Sequence, residues 1–265
     1  ILRIKAMPSK KVNLLKNMLN KGATVIGTWS SLSSPNVINV IGSTDLDFVI
    51  IDMEHGSMTF ETAENMVRAA EASKIAPIIR VWDDQNQTIL RALETGVRSI
   101  MVPHISTRED AERIVKSCKY FPAGTRGLSP YTRIHDFTHV DIADSLQTEN
   151  DHTMVGILVE GQKGLNNLSE IVKVKGLDFI YLGLFDICQS VGLPGQTSHP
   201  KVLEEISRCS DLIRSNGIVA GCMSTDVTSI NMLKKKNYQF IAYLNDAAAV
   251  KAHFDYVIGA VRESI

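Results

Sequence analysis

Short apolar runs alternate with amphipathic stretches along the whole chain. Eight runs stand out, at residues 24–29 (TVIGTW), 48–52 (FVIID), 77–81 (PIIRV), 99–102 (SIMV), 155–160 (VGILVE), 179–183 (FIYLG), 218–222 (IVAGC) and 239–244 (QFIAYL). They are largely apolar rather than alternating with polar residues, so each reads as a strand buried on both faces of a parallel sheet. Between and after them the spacing predicts helices at 35–41, 59–72, 85–94, 108–119, 162–174, 200–215, 226–236 and 246–262. Ser34 before Pro35, and Thr107 three residues ahead of Asp110, are helix-start signals. Eight strand–helix units in 265 residues predict an α/β fold of one domain, a (β/α)8 TIM barrel. A doubly wound sheet would want a glycine-rich first turn, and none is present.

Residues 23–265 are expected to form the barrel and 1–22 an N-terminal extension carrying a first helix. One connection is long: residues 121–154 contain Pro122, Gly124 and Ser129-Pro130 but little periodicity. Loops of that length are usually functional, and this one is expected on the catalytic face after strand four.

Composition narrows the function classes. With 28 Lys+Arg against 29 Asp+Glu the formal charge is −1, which leaves no electrostatic footprint for nucleic acid or an anionic membrane. No run approaches the roughly 18 apolar residues of a membrane span. Cys118, Cys188, Cys209 and Cys222 form no C-x-x-C pair, so they read as core filler in a reducing compartment. Residues 1–6 (ILRIKA) lack a signal core, and the cytoplasm is the expected location.

In a barrel, chemistry sits at the carboxyl ends of the strands. Strand two ends in Asp52-Met53-Glu54-His55, strand three in Arg80, strand five in Glu160; strand six runs on to Asp186, and strand eight gives Asn245-Asp246. Glu160 is the only acid in its apolar strand, where it needs a cation. An arginine could serve, and Asp186 alone could cap a helix. Together the two carboxylates suit an octahedral hard cation, Mg²⁺ or Mn²⁺, with substrate oxygens and water completing the shell. Asp52 can orient His55 as a general base, and Arg80 can hold a substrate carboxylate or pair with Asp52 or Glu160. No strand end offers a Schiff-base lysine, Lys163 being the nearest, and no Walker loop, G-x-S-x-G or H-E-x-x-H occurs. Residues 223–226 and 245–247 lack the glycines of a phosphate cradle, which favours a non-phosphorylated substrate.

Five local patterns in order carry a resemblance over about nine-tenths of the chain. They are Phe48-Val-Ile-Ile-Asp-Met-Glu-His55, Pro77-Ile-Ile-Arg80, Leu93-Glu94-Thr-Gly96 with Met101-Val-Pro103, Phe121-Pro-Ala-Gly-Thr-Arg-Gly127, and Glu160 followed 26 residues later by Asp186. The chain resembles the HpcH/HpaI aldolases, metal-dependent class II pyruvate aldolases related to the citrate lyase β subunit. The resemblance implies a (β/α)8 barrel, a homo-oligomer (a hexamer as a trimer of dimers) with the last helix exchanged between partners, and cleavage or formation of 4-hydroxy-2-oxo acids from pyruvate and an aldehyde through a metal-bound enolate. It implies Glu160 and Asp186 as ligands of Mg²⁺, Mn²⁺ or Co²⁺, Arg80 on the pyruvyl group, His55 as base with Asp52, and Glu94 as an acid contributed across a subunit boundary. Gly183, Leu184, Phe185 and Leu158 fall at substrate-binding positions. Two of these depart from the family pattern: Leu158 stands where an amide is common, and Phe185 replaces a small residue and is expected to crowd the pocket. Two other readings remain, a C–C lyase on a larger or CoA-linked substrate, and a diverged 2-oxo-acid-binding barrel.

Overall fold

Eight parallel strands close on themselves in chain order, the last pairing with the first. They are β1 Val25–Ser30, β2 Phe48–Asp52, β3 Ala76–Arg80, β4 Ser99–Val102, β5 Met154–Val159, β6 Phe179–Leu182, β7 Val219–Ser224 and β8 Phe240–Asn245. The structure is a computed structural model and describes residues 12–263. Around the strands run α1 Leu14–Asn20, α2 Pro35–Gly42, α3 Phe60–Ala72, α4 Asn86–Glu94, α5 Arg108–Cys118, α6 Ile142–His152, α7 Gln162–Asn166, α8 Leu168–Ile171, α9 Leu184–Ser190, α10 Pro200–Ser215, α11 Val227–Lys235 and α12 Asp246–Glu263. The single-domain (β/α)8 barrel is the expected fold. Thr107 and Asp110 form the expected capping box at the start of α5, and Pro35 opens α2.

Continuous apolar strands feed two cores because successive side chains face opposite ways. Val49, Ile51, Ile79, Ile157 and Ile180 pack outward against the helices. Phe48, Ile50, Ile78, Leu158, Phe179 and Tyr181 fill the barrel interior. Phe48 stacks on Phe240 at 4.3 Å between ring centroids. A Cβ at Gly156 would lie 1.9 Å from Phe179 Cζ, so the ring is housed only because that position is glycine. Continuing the inward rows by two residues gives Phe48–Ile50–Asp52, Ile78–Arg80 and Leu158–Glu160. The same period that packs the interior therefore delivers polar groups to its carboxyl-terminal mouth.

The amino-terminal mouth is covered by α1, whose Leu15 and Leu19 are buried. Asn13 Nδ2 donates to the Arg98 and His152 carbonyls and to Ser99 Oγ, at 3.0–3.1 Å. The rest of the expected N-terminal extension, residues 1–11, lies outside the described residues. All four cysteines are unpaired and buried, and burial pushes the Cys118, Cys209 and Cys222 thiols up to about 12, which leaves those three protonated at neutral pH.

Three expectations need correction. The long connection lies between α5 and β5, so it runs from a helix back to a strand and sits at the amino-terminal mouth, not on the catalytic face. It is also structured, holding a 3₁₀ turn at Arg133–His135 and helix α6. Strand six stops at Leu182; Asp186 belongs to the first turn of α9. The helix expected over 162–174 is broken at Asn167 into α7 and α8.

Candidate active site

A cavity of about 330 Å³ opens at the carboxyl-terminal mouth. Asp52, His55, Arg80, Leu158, Glu160, Gly183, Leu184, Phe185 and Asp186 all line it, so the strand ends bring together every expected site residue except Glu94.

The turn after β2 is built by its own aspartate. Asp52 Oδ1 accepts the backbone N–H groups of Glu54 and His55 at 3.1 and 3.2 Å, and the Gly56 N–H closes the turn on the Asp52 carbonyl. Asp52 thus holds the His55 backbone rather than its ring, which corrects the expected Asp–His pairing. The exposed His55 ring forms no hydrogen bond or ion pair among the described residues.

Arg80 is buried and forked onto Asp52, with Nε to Oδ1 at 2.9 Å and Nη2 to Oδ2 at 2.5 Å. Its Nη1 lies 3.0 Å from Glu54 Oε2, and its guanidinium stacks over Trp29 at 4.5 Å from the ring centroid. Trp29 Nε1 in turn donates to Tyr181 Oη at 3.1 Å. The counter-ion of Arg80 is therefore Asp52, joined by Glu54, and not Glu160. Only its remaining Nη hydrogens are left for a ligand.

Glu160 has no arginine either. Its Oε1 accepts the His104 backbone N–H at 3.0 Å and lies 2.7 Å from His104 Nδ1, while His104 Nε2 lies 2.7 Å from Glu54 Oε1. Sequence reasoning missed His104. It follows Met101-Val-Pro103 at the end of β4, and that strand-end position was the available signal. Its backbone is left-handed, with φ 61°, a conformation histidine tolerates better than most residues. Burial pushes the Glu160 carboxyl above its ordinary range; His104 opposes this and the nearby charges of Asp186 and Glu54 add to it.

A Cβ at Gly183 would fall 2.6 Å from Glu160 Cβ and 3.2 Å from its Oε2, so glycine there lets the α9 turn carrying Asp186 approach Glu160. Asp186 is exposed and forms no ion pair among the described residues. Leu158 is 2% exposed and belongs to the barrel core, whereas Phe185 is 47% exposed. Phe185 stands at the open mouth and lines the cavity there. Glu94, at the end of α4, lies toward the opposite mouth, 3.3 Å from Arg126 Nη2. It takes no part in this chain's own cavity.

The comparisons agree with this fold. The family model for HpcH/HpaI aldolase/citrate lyase matches residues 25–251, nearly the whole barrel. The chain belongs to the HpcH/HpaI aldolase/citrate lyase family. It is 31% identical over 238 residues to a hydroxypyruvate/pyruvate aldolase of Roseobacter denitrificans, covering 89% of this chain and 92% of the relative. It is 31% identical to a 5-keto-4-deoxy-D-glucarate aldolase of Shigella boydii, covering 80% and 82%. Among solved structures, the crystal structure of the citrate synthase SbnG shares 31% identity and a TM-score of 0.86, covering 94% of this chain and 98% of that one. Membership makes this family barrel an enzyme of carbon–carbon bond chemistry.

Proposed function

We propose that the chain is a class II pyruvate aldolase, cleaving or forming the C3–C4 bond of a 4-hydroxy-2-oxo acid. The observation that carries this is the joining in one cavity of the Glu160–Asp186 pair, buried Arg80 and unpartnered His55.

The donors fit a divalent ion. Glu160 is held out of water beside a second carboxylate with no arginine to balance it, an arrangement a hard cation relieves. Glu160 and Asp186 would hold the ion, and oxygens of substrate and water would fill its other positions. When bound, Mg²⁺, Mn²⁺ or Co²⁺ supplies Lewis acidity to the keto and carboxylate oxygens of the 2-oxo acid.

The chain's own residues do the rest. His104 has both ring nitrogens occupied by carboxylates, so His55 is the free base. In cleavage His55 takes the proton of the 4-hydroxyl; the C3–C4 bond breaks, its electron pair moves toward the C2 oxygen, and aldehyde and pyruvate enolate separate. Protonation at C3 then yields pyruvate. The remaining Nη hydrogens of Arg80 balance negative charge gathering on the pyruvyl oxygens. Asp52, Glu54 and Trp29 fix the guanidinium plane, so that charge is in place beforehand.

A homo-oligomer is part of the same proposal. Helix α12 buries only Asp246, while Val250, Phe254, Val257, Ile258 and Val261 stand 40–64% exposed. Such an apolar face suits a second copy of the chain. Under this reading Glu94 meets a neighbour's site. No helix of the described residues is long and apolar enough to cross a membrane.

The test is release of pyruvate from 4-hydroxy-2-oxopentanoate by metal-stripped protein. Mg²⁺, Mn²⁺ or Co²⁺ should restore it; release that is equal without metal, or absent with all three, contradicts the proposal. The likeness to a citrate synthase supports one second reading, C–C bond formation onto a larger 2-oxo acid. Supplying oxaloacetate with pyruvate in place of an aldehyde tests it.

A further inference from the structure

A second cavity, about 360 Å³, lies beside the first. The two share Leu184 and Met223 as wall residues. Beyond that wall the second cavity is faced by Leu203, Ile206, Met232 and Leu233, from α10 and α11. Met223 is half-buried and unbranched, a side chain that repacks at low cost. On the near side of the wall stand Leu158 and Phe185, both apolar.

Charge points the same way. Arg80 is the only lysine or arginine among the residues lining either cavity, and Asp52 and Glu54 already engage it. The second cavity contains an acid instead, Asp226, whose Oδ1 accepts the Ser229 N–H at 2.8 Å. A distal carboxylate on the acceptor would meet no cation there and one anion. Hydroxyls of Thr197, Ser198, Ser224, Thr225, Thr228 and Ser229 edge the cavity but add no positive charge.

We propose that the second cavity is an acceptor-tail subsite, and that the aldehyde partner carries an uncharged alkyl or aryl tail that passes Leu184 and Met223 into it. This rests on the aldolase reading of the first cavity. Pyruvate C3 gives up a proton and bonds to the aldehyde carbon, the C=O electron pair moves onto the aldehyde oxygen, which takes up a proton in turn, and the tail contributes binding only.

The experiment supplies pyruvate, Mg²⁺ and linear aldehydes from propanal to octanal, with succinic semialdehyde as the anionic comparator. Each protein's rates are normalised to its own exchange of pyruvate methyl protons in D₂O. For the unmodified protein kcat/KM should rise about fourfold per added CH₂ while the tail fills the subsite. Butanal should exceed succinic semialdehyde. Met232→Trp and Leu203→Trp, which fill the subsite from two different helices, should each flatten the length dependence. A flat series, a preference for the anionic aldehyde, or an unaltered slope in both variants would overturn the proposal while leaving the aldolase reading standing. Absence of methyl exchange would remove both.

Discussion

His104 Nδ1 lies 2.7 Å from Glu160 Oε1, and the His104 backbone N–H donates to the same oxygen at 3.0 Å. One oxygen of Glu160 is thereby held, and Oε2 is the one that faces Gly183. Partners of this kind typically tune metal affinity by 10- to 100-fold. His104→Leu should weaken divalent-ion binding by about that factor, read by calorimetric titration. His104 is largely exposed, so the melting temperature should hardly move. Unchanged affinity would make His104 a bystander.

Arg80 and Asp52 form the buried fork of the site. Arg80→Met strands buried Asp52 without a cation, leaves Glu54 only His104, and should cost roughly 3–5 kcal/mol, seen as a lower urea midpoint. Arg80→Lys keeps the charge but loses the planar fork and the stack on Trp29. It should retain more of the stability yet lose about 10²-fold in kcat/KM. Near-normal turnover in Arg80→Lys would contradict the role assigned to the guanidinium.

The exposed face of α12 predicts association. Light scattering should give a mass well above the 29.2 kDa of one chain. Phe254→Asp, placing a charge on a residue that is 64% exposed in the single chain, should lower that mass while leaving the far-ultraviolet circular dichroism unchanged. A wild-type monomer would refute the proposed assembly.

Lys119 gives a pH signature unrelated to catalysis. Its Nζ is buried and donates to the Asn150 and Thr153 carbonyls, anchoring the segment between α5 and β5. Burial lowers its pKa from 10.5 to about 8. Between those values the unfolded chain binds the proton that the folded chain has released, so this group's contribution to stability improves as pH rises through that window and is poorest below it. The melting temperature of Lys119→Met relative to wild type should therefore fall between pH 8 and 10. A flat or rising difference would place the titration elsewhere.

Strand periodicity made the barrel legible, because strands buried on both faces leave long apolar runs that survive any change of register detail. The mouth was legible to the extent that inward rows end in polar residues, as with Asp52, Arg80 and Glu160. What the sequence concealed was pairing. Asp52 and Glu160 both stood as candidate partners of Arg80, and nothing in the spacing chose Asp52 or told His104 to bridge Glu54 and Glu160 across 50 and 56 positions of chain. Asp186 could be found but not placed, since Leu184–Ser190 is too short for helical periodicity to show. The long segment reaches the amino-terminal mouth because α5, and not β4, leads into it.

Glu160 and Asp186 are proposed to hold a divalent ion under which this site forms the enolate of pyruvate. Loss of the pyruvate methyl proton signal in D₂O tests it without knowledge of the aldehyde. Metal-stripped protein should show no loss, and added Mg²⁺, Mn²⁺ or Co²⁺ should start it; His55→Ala should slow it by about 10²-fold or more, and Glu160→Gln should abolish it together with metal binding. Folded protein that shows no exchange with any of the three ions, or full exchange in Glu160→Gln, would rule out an enolate formed under an ion held by these two carboxylates.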